Sequence, residues 1–287
     1  MTAPPGDWGG GTPPPGDRAG GTAPAGDTAA AAPALALRGV SRHFGALRAV
    51  DAVDLSVSAG ARHGLIGPNG AGKSTLFRLI AGTLRVSAGT IWLGEQDITG
   101  QREYVRARWG ISQTLQHSSL FLPLTVEQNA MLAAQRRHGS PGSPWPRRQP
   151  VARDRVAELL EAVGLTGRAT VTAGELSHGE RRQLEIALAL ACEPRLLLLD
   201  EPAAGMSAAE GERLVELIEA LPASVTVLIV EHDLDVVFQL ASAITVLHLG
   251  QVLLTGSPSD VRESAAVREA YLGTADREEL FVAPDGA

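Results

Sequence analysis

The sequence contains one cysteine, no long apolar run and no excess of positive charge. Cys192 has no second cysteine for an internal disulfide, so nothing indicates an oxidising compartment. No apolar run approaches the roughly 18 residues that a membrane-spanning helix needs, and the N-terminus lacks the apolar core of a signal peptide. The formal net charge of −7 argues against a chain that wraps a nucleic acid. We expect a soluble, cytoplasmic chain with no nucleic-acid partner.

Lysine is almost absent. Among the 25 basic residues of this 287-residue chain, Lys73 is the one lysine and the others are arginine. Lysine is a compact point charge on a flexible stem, whereas arginine is a planar fork, so a site that needs the point charge would keep lysine. The residues around Lys73 are therefore the first place to look for function.

The N-terminal segment differs in composition from the rest of the chain. Residues 1–33 contain no Leu, Ile, Val or Phe and are rich in Gly, Pro and Ala. Such a segment cannot bury enough apolar surface to offset the entropy lost on ordering. We predict a disordered tail at 1–33, for which a recognition segment is the alternative. A folded domain is expected at 34–273 and a C-terminal tail at 274–287.

From Leu35 onward, short apolar runs alternate with stretches of helical spacing. We predict strands near residues 35–40, 53–57, 62–66, 89–93, 195–200, 225–230, 243–248 and 251–255. Strands that alternate with helices imply an α/β fold with a mainly parallel sheet covered on both faces. The helix-rich middle of the chain, about 112–178, is expected to form a helical subdomain at the edge of the sheet.

A glycine-rich segment follows the predicted strand at 62–66. It fits the pattern G-x-x-x-x-G-K-[ST] with the residues Gly67, Pro68, Asn69, Gly70, Ala71, Gly72, Lys73, Ser74 and Thr75. The glycines allow backbone N–H groups to turn inward, and the following helix offers the positive end of its dipole to phosphates. Lys73 would contact the β- and γ-phosphates, and the Ser74 hydroxyl would bind Mg²⁺. The alternative is a glycine-rich turn that happens to precede a helix; the preceding strand and the lone lysine favour a nucleoside triphosphate site.

Two acidic residues, Asp200 and Glu201, end the apolar run at 196–199. Open α/β sheets bind their ligands at the carboxyl ends of strands. We expect Asp200 to support the Mg²⁺ held by Ser74, and Glu201 to polarise the attacking water. Taken alone, two such acids are usually the solvated start of a loop. For Glu201 a further alternative is a purely electrostatic role, without proton transfer from water.

The residues that begin the predicted helix after Ser177 have two explanations. One is an anion-binding site, the second in this chain after the glycine-rich loop. In the other explanation, Ser177 and Glu180 form a capping box. Capping does not explain Gly179, which is unfavourable in a first helical turn. Nor does it explain the cations of Arg181 and Arg182, which oppose the helix dipole unless an anion docks there. Taken alone, this motif favours capping.

Together these motifs resemble those of ABC-type ATPases, the nucleotide-binding subunits of ABC transporters. Residues 176–180 are similar to the family signature L-S-G-G-Q, with His178 in place of its first Gly and Glu180 in place of its Gln. The resemblance implies that Ser177 and Gly179 contact the γ-phosphate bound to the other subunit of a head-to-tail dimer. It also implies a P-loop NTPase core with a mainly parallel sheet, an antiparallel β part and a helical subdomain.

Three further residues occupy positions at which this family has functional side chains. His232 matches the switch histidine at the γ-phosphate, and Gln116 matches the glutamine that links Mg²⁺ and water to the transmembrane partner. Phe44 matches the aromatic residue that stacks on adenine, although an ordinary apolar loop residue is a serious alternative. For an ATP site with Mg²⁺, the implied catalytic residues are Glu201, His232 and Gln116, and the implied metal ligands are Ser74, Gln116 and Asp200.

Several segments are similar, more specifically, to the branched-chain amino acid importer ATPase with the longer helical insert. These segments are 114–116, 200–206, 231–233 and 267–273. Urea and amide importer ATPases look nearly alike, and the ATPase of lipopolysaccharide export is a more distant relative. The resemblance implies a peripheral subunit on the inner face of the cell membrane that drives permease subunits and serves an extracytoplasmic substrate-binding protein indirectly. These ATPases do not contact the transported molecule, so the substrate is the weakest inference.

Two other classes of function compete with a transporter subunit. Soluble ABC-type ATPases that act on nucleic acids or ribosomes usually carry two cassettes or long coiled coils, and this acidic chain has neither. A regulatory nucleotide-binding module without turnover is disfavoured because Glu201 and His232 are both present. We predict an ATP-hydrolysing subunit that energises a membrane permease.

A predicted loop after Gln116 carries four large apolar residues within 118–124. Such a run is either core packing or an interface patch, and core packing is the more usual explanation. The resemblance places this segment beside the groove that receives a cytoplasmic helix of the permease. We predict that Phe121 is the residue exposed for that contact.

Overall fold

The computed structural model describes the residue ranges 33–114, 120–138 and 149–272. The tails predicted at 1–33 and 274–287 lie outside these ranges apart from Pro33, and so does Gln116. The strands are β1 (Leu35–Phe44), β2 (Leu47–Val57), β3 (Arg62–Ile66), β4 (Ala88–Leu93), β5 (Gln96–Asp97), β6 (Ile111–Gln113), β7 (Leu196–Asp200), β8 (Thr226–Val230), β9 (Ala243–His248) and β10 (Gln251–Gly256). The helices are α1 (Lys73–Ala81), α2 (Glu103–Arg108), α3 (Val126–His138), α4 (Gln149–Ala162), α5 (His178–Ala191), α6 (Ala208–Glu219), α7 (Leu234–Leu240), α8 (Pro258–Glu263) and α9 (Ala265–Leu272).

The larger sheet has six strands in the order β10-β9-β3-β8-β7-β6. All neighbouring pairs are parallel except β10 and β9, which are antiparallel. Every residue of β7 and β8 is buried. Alternate residues of β7 enter two different cores: Leu197 packs with residues of α5 and α6, and Leu198 packs with residues of α1. Both faces of the sheet are therefore covered, and the predicted α/β fold with a mainly parallel sheet is confirmed.

The smaller sheet is antiparallel, with the strand order β2-β1-β4-β5. The second half of β2 alternates between buried and exposed residues, as expected for a strand with one face on a core. Its inward residues Val53, Leu55 and Val57 share a hydrophobic core with Leu76 and Leu79 of α1. This sheet is the antiparallel β part that the family resemblance implied, and it covers the helix that follows the glycine-rich loop.

A helical part of the chain packs beside the larger sheet. Helices α3, α4 and α5 contact one another. Their core continues into the sheet, because Leu159 of α4 and Leu184 of α5 belong to the same buried cluster as Leu199 of β7. Strand β6 pairs with β7 as the edge of the sheet, so the helical part begins after Gln113.

The parallel strands place three loops at one edge of the sheet. Strands β3, β8 and β7 are neighbours, so their carboxyl ends lie side by side. The glycine-rich loop follows β3, Asp200 and Glu201 lie at the end of β7, and His232 follows β8. This edge is the position at which open α/β sheets bind ligands.

His63 of β3 lies in the core behind the glycine-rich loop. It is 2% exposed, and its Nε2 lies 2.8 Å from the Thr245 hydroxyl of β9. Burial lowers the pKa of His63 from 6.5 to about 4. Between these two pH values the unfolded chain binds a proton that the folded chain does not, so the free energy of unfolding falls as pH drops through this window.

Replacing His63 with Gln, which can also hydrogen-bond Thr245, is expected to remove this part of the pH dependence. When the pH is lowered from 7 to 4.5, the free energy of unfolding should fall by roughly 2–3 kcal/mol less in the variant than in the original chain. Urea unfolding of both proteins at the two pH values measures the difference, because the carboxylate contributions common to both proteins cancel. Equal losses in both proteins would show that His63 does not carry this dependence.

Candidate active site

The glycine-rich loop has a backbone that side chains would not permit at two positions. Gly67 and Gly72 have φ angles of 150° and 102°. A Cβ atom on Gly67 would lie 2.2 Å from the Leu247 carbonyl oxygen, and one on Gly72 would lie 2.4 Å from the Ala49 carbonyl oxygen. Glycine is therefore required at both positions, by backbone conformation and by close approach of neighbouring strands.

Lys73 begins α1 and turns back over the loop that precedes it. Its Nζ donates hydrogen bonds to the carbonyl oxygens of Gly67, at 2.6 Å, and Pro68, at 3.1 Å. The residue is only 6% exposed, while the neighbouring Ser74 is exposed and Thr75 is half-buried. The lone lysine of the sequence thus lies against the glycine-rich loop that precedes it.

Asp200 ends β7 as a buried carboxylate. Burial raises its pKa, and the nearby charge of Glu201 adds to this effect. The cations of Arg182 and Lys73, together with His232, act in the opposite direction. Among the described residues, the Oδ1 atom of Asp200 has no hydrogen-bond partner. A buried carboxylate oxygen without a partner is costly unless a ligand completes it.

Glu201 and His232 contact each other at the edge of the sheet. The Nε2 atom of His232 lies 2.5 Å from the Oε1 atom of Glu201, and both side chains are partly exposed. The backbone of Glu201 is left-handed, with φ at 47°, and its N–H donates to the carbonyl of Val230 in β8. A left-handed backbone is unusual for a residue other than glycine and often marks a functional site. The structure thus brings together two residues that are 31 positions apart in the sequence.

Glu231 was not predicted as a site residue, yet it connects the two loops. Its buried carboxylate accepts hydrogen bonds from the backbone N–H of Ala203, at 2.6 Å, and of His232, at 3.0 Å. Burial raises the pKa of Glu231, and these backbone donors oppose that shift. The available signal in the sequence was its position directly after the apolar strand β8, which parallels the position of the acidic pair after β7.

Ser177 caps α5 as the sequence predicted. Its hydroxyl accepts a hydrogen bond from the Glu180 N–H, and its own N–H donates to the Glu180 carboxylate at 2.8 Å. Arg168 lies 2.7 Å from the same carboxylate, and both contacts lower the pKa of Glu180. The capping box is confirmed, and the residue Ser177 is exposed.

Gly179 and the two arginines of the first helical turns have structural explanations. A Cβ atom on Gly179 would lie 2.2 Å from the Glu210 carboxylate, which is part of the capping box of α6. Arg181 donates to the carbonyl of Gly174, and Arg182 donates to the carbonyl of Asp200. In the sequence, Gly179 and the two arginines were explained only by an anion docked at this helix. Because the structure gives each of them a contact within the chain, the anion site stays a proposal.

Of the two remaining predicted site residues, the structure describes Phe44 but not Gln116. Phe44 ends β1 and is 44% exposed. The guanidinium of Arg42 lies 4.6 Å from the centroid of the Phe44 ring. This cation–π contact covers one face of the ring, and Arg42 does not cover the other face. Gln116 lies outside the described residues.

Comparison with known proteins identifies the family. A family model described as ABC transporter matches residues 50–204, more than half of the chain. The chain belongs to the ABC transporter ATP-binding family. A second family model, described as branched-chain amino acid ATP-binding cassette transporter, matches residues 251–277. The first match includes the glycine-rich loop, the signature-like segment at 176–180, Asp200 and Glu201.

Curated relatives of this ABC ATPase are similar over nearly their entire length. The high-affinity branched-chain amino acid transport ATP-binding protein LivG of Salmonella typhimurium is 38% identical over 252 residues, which are 85% of this chain and 99% of the relative. The protein of the same description named BraF, from Pseudomonas aeruginosa, is 39% identical over 253 residues, with the same two shares.

Solved structures of an ATP-binding cassette named MJ1267, from an ABC transporter, have the same fold. One superposes with a TM-score of 0.75 at 29% identity and covers 84% of this chain and 99% of the cassette. The ADP conformation of that cassette superposes with a TM-score of 0.74, with the same identity and shares. The predicted P-loop ABC cassette fold is confirmed.

Family membership determines the basic activity of this ABC ATPase. It binds ATP and hydrolyses it, and its family supplies the ATP-binding components of transporters. In the part of the chain that the structure describes, none of the helices combines the length and the apolarity needed to cross a bilayer.

Proposed function

We propose that this ABC ATPase energises a permease that imports branched-chain amino acids. Two relatives, LivG and BraF, carry the name of that transport system, and the match at 251–277 is to a model described for the same class. The observation that supports the catalytic part is the 2.5 Å contact between His232 and Glu201 beside the buried carboxylate of Asp200. Urea or amide import, lipid export and a role outside transport are the competing functions.

The glycine-rich loop supplies the contacts to the phosphates of ATP. Inward backbone N–H groups and the start of α1 favour bound anions. Lys73 would exchange the carbonyls of Gly67 and Pro68 for β- and γ-phosphate oxygens, since its ammonium already lies over the loop. Phe44 would stack on adenine with the ring face that Arg42 does not cover. The full set of proposed nucleotide contacts on this side is Phe44, Gly67, Pro68, Asn69, Gly70, Ala71, Gly72, Lys73, Ser74 and Thr75.

Mg²⁺ fits the donors at this edge of the sheet. The partnerless Oδ1 atom of Asp200 and the exposed Ser74 are both oxygen donors, the type that Mg²⁺ prefers. The described residues contain no cluster of three or more His, Cys, Asp or Glu side chains that could hold a metal ion. A magnesium ion that is bound through one carboxylate, a few other protein oxygens, and phosphate and water oxygens does not need such a cluster. We assign Ser74, Asp200 and Gln116 as its ligands, and when bound the ion neutralises charge on the phosphates.

The hydrolysis step uses Glu201 and His232. Glu201 accepts a proton from the water that attacks the γ-phosphorus, the bond from that phosphorus to the oxygen of ADP breaks, and inorganic phosphate leaves. His232 orients the Glu201 carboxylate through their 2.5 Å contact and would also meet the γ-phosphate. Gln116 would connect this reaction to the permease.

A second copy of the cassette, or a related subunit, would complete the site. Ser177 is exposed at the start of α5, where the helix presents the positive end of its dipole. In a head-to-tail dimer, Ser177 and Gly179 would face the γ-phosphate on the other subunit. An extracytoplasmic binding protein would act through the permease, on the opposite side of the membrane from this chain.

Replacing Phe121 with Ala is expected to spare the isolated chain but weaken its association with the permease. Phe121 is 60% exposed and Leu122 is 44% exposed, whereas Leu120 is buried. The exposed pair forms an apolar patch in a segment anchored by Asn129, which hydrogen-bonds the Phe121 backbone in both directions. The thermal midpoint of the purified variant, measured beside a pull-down of the co-expressed permease, tests the proposal.

The matched control is Leu120→Ala, one position away but in the core. Loss of a buried Leu costs about 2–5 kcal/mol and should lower the midpoint by at least about 4 °C. Phe121→Ala should leave the midpoint nearly unchanged. A large fall for Phe121→Ala, or an unchanged midpoint with a normal pull-down, would remove Phe121 from the interface.

The substrate is tested by transport in membrane vesicles that contain this chain with its permease and binding protein. ATP-dependent uptake of leucine, isoleucine or valine is the expected result. Uptake of urea or an amide instead would assign the chain to the related importer. ATP-dependent release of lipid would assign it to export, and absence of the chain from the membrane fraction would contradict a transport function.

A further inference from the structure

Arg182 of α5 makes contacts that the proposed reaction does not yet explain. Its Nη2 atom donates to the carbonyl of Asp200 at 2.5 Å, and its Nε atom donates to the carbonyl of Pro202 at 3.4 Å. Its Nη1 atom lies 2.8 Å from the carboxylate of Glu185, and the side chains of this ion pair are 11% and 10% exposed. The first carbonyl belongs to the peptide unit between Asp200 and Glu201, and the second belongs to the unit between Pro202 and Ala203, so Glu201 and Pro202 lie between the two contacts.

Each of these two peptide units is also held at its N–H group. The unit between Asp200 and Glu201 donates its N–H to the carbonyl of Val230 at 2.8 Å. The unit after Pro202 donates the N–H of Ala203 to the carboxylate of Glu231 at 2.6 Å. The segment is thus held between Arg182 on one side and strand β8 with its following loop on the other.

The residue enclosed by these contacts has the left-handed backbone. Glu201 has a φ angle of 47°, a conformation that an L residue with a Cβ atom disfavours. Such a conformation persists only when surrounding contacts over-determine it. Here the hydrogen bonds to the two peptide units restrict the backbone around Glu201. Arg182 binds the two carbonyl groups, whereas Val230 and Glu231 accept from the two N–H groups.

We propose that Arg182 is a positioning residue that holds the Glu201 backbone in the conformation required for water activation. This inference rests on the proposed role of Glu201 as the proton acceptor. Arginine suits the task because its planar fork has several donors in fixed directions, and lysine has one point charge.

Arg182→Gln is expected to lower kcat about ten- to a hundredfold, because a small displacement of a catalytic group has effects of that size. The KM for Mg-ATP should stay within about twofold, since the glycine-rich loop and Lys73 are untouched. Arg153→Gln is the control. Arg153 is an exposed arginine of α4 outside the proposed site, so the kcat of this variant should change less than about twofold.

A double-mutant cycle separates positioning from general destabilisation. If Arg182 acts through Glu201, adding Arg182→Gln to Glu201→Gln should lower the residual kcat by less than about twofold. Arg182→Lys keeps a cation but lacks the planar fork whose three nitrogens separately contact Glu185 and the carbonyls of Asp200 and Pro202, so it provides a variant for the case in which Arg182→Gln does not fold. Its kcat should also fall while its thermal midpoint stays near that of the original chain.

The outcomes distinguish this inference from the proposed function. Normal kcat in a folded Arg182 variant, or an undiminished loss when Arg182→Gln is added to Glu201→Gln, would overturn the role of Arg182 alone. Normal turnover in the Glu201→Gln single variant would instead overturn the proposed role of Glu201, and the role of Arg182 with it.

Discussion

Replacing Lys73 with Ala is expected to abolish ATP hydrolysis. The sequence contains no other lysine, and the Lys73 ammonium lies over the glycine-rich loop, bonded to the carbonyls of Gly67 and Pro68. In the role we propose for Lys73, its loss removes the point charge from the β- and γ-phosphates. The loss in kcat/KM should be at least roughly 10²–10³-fold, as for removal of one charge-stabilising donor from an active site. Phosphate release with Mg-ATP measures it.

Lys73→Arg is the informative companion variant. It keeps the positive charge but puts a planar fork into a loop in which Lys73 is 6% exposed. We expect poor activity in both variants, each of which should still fold. Near-native activity of the arginine variant would contradict the inference that this site requires lysine.

Glu201→Gln is expected to bind ATP and hydrolyse it roughly 10²–10⁴-fold more slowly, the range typical for loss of a general base. The amide keeps the shape of the side chain and leaves the phosphate-binding loop intact, but it cannot take a proton from water. ATP that is bound and not hydrolysed should then hold two subunits closed. Size-exclusion chromatography with Mg-ATP should show more dimer than the apo protein, while phosphate release is nearly lost.

The control for this variant is Glu212→Gln, which removes an exposed carboxylate from α6 and should change neither property. If Glu201→Gln turns over normally and shows no more dimer than the apo protein, Glu201 is not the base. A variant that fails to bind ATP would show that its carboxylate contributes to nucleotide binding instead.

Most regular elements were predictable because they are long or bounded by turn residues. The predicted strand at 62–66 and the helix after Lys73 agree with β3 and α1. Strand β2 begins six residues before the predicted start at 53, because its first part pairs with the end of β1. Strand β6 is three residues long and was not predicted, since only pairing with β7 makes it a strand.

The candidate site also contains residues that were predictable from the sequence and contacts that were not. The residues at 67–75 and Ser177 with Glu180 were recognisable because their chemistry is local: φ angles, helix starts and capping hydrogen bonds restrict residue types over a few positions. The role of Gln116 stays a prediction. The buried link through Glu231 was missed, because an acid after a strand does not reveal which backbone groups it will meet.

The sequence by itself determined that this chain has a glycine-rich loop with the one lysine, an acidic pair at the end of an apolar strand and a capped helix. It did so because each feature depends on backbone geometry within one segment. Only the tertiary structure decided that His232 meets Glu201, that Gly179 lies against Glu210, and that Arg182 donates to the carbonyls of Asp200 and Pro202. Those contacts join residues far apart in the chain, and they exist because parallel strands and the helices between them pack side by side, which no local pattern of residues records.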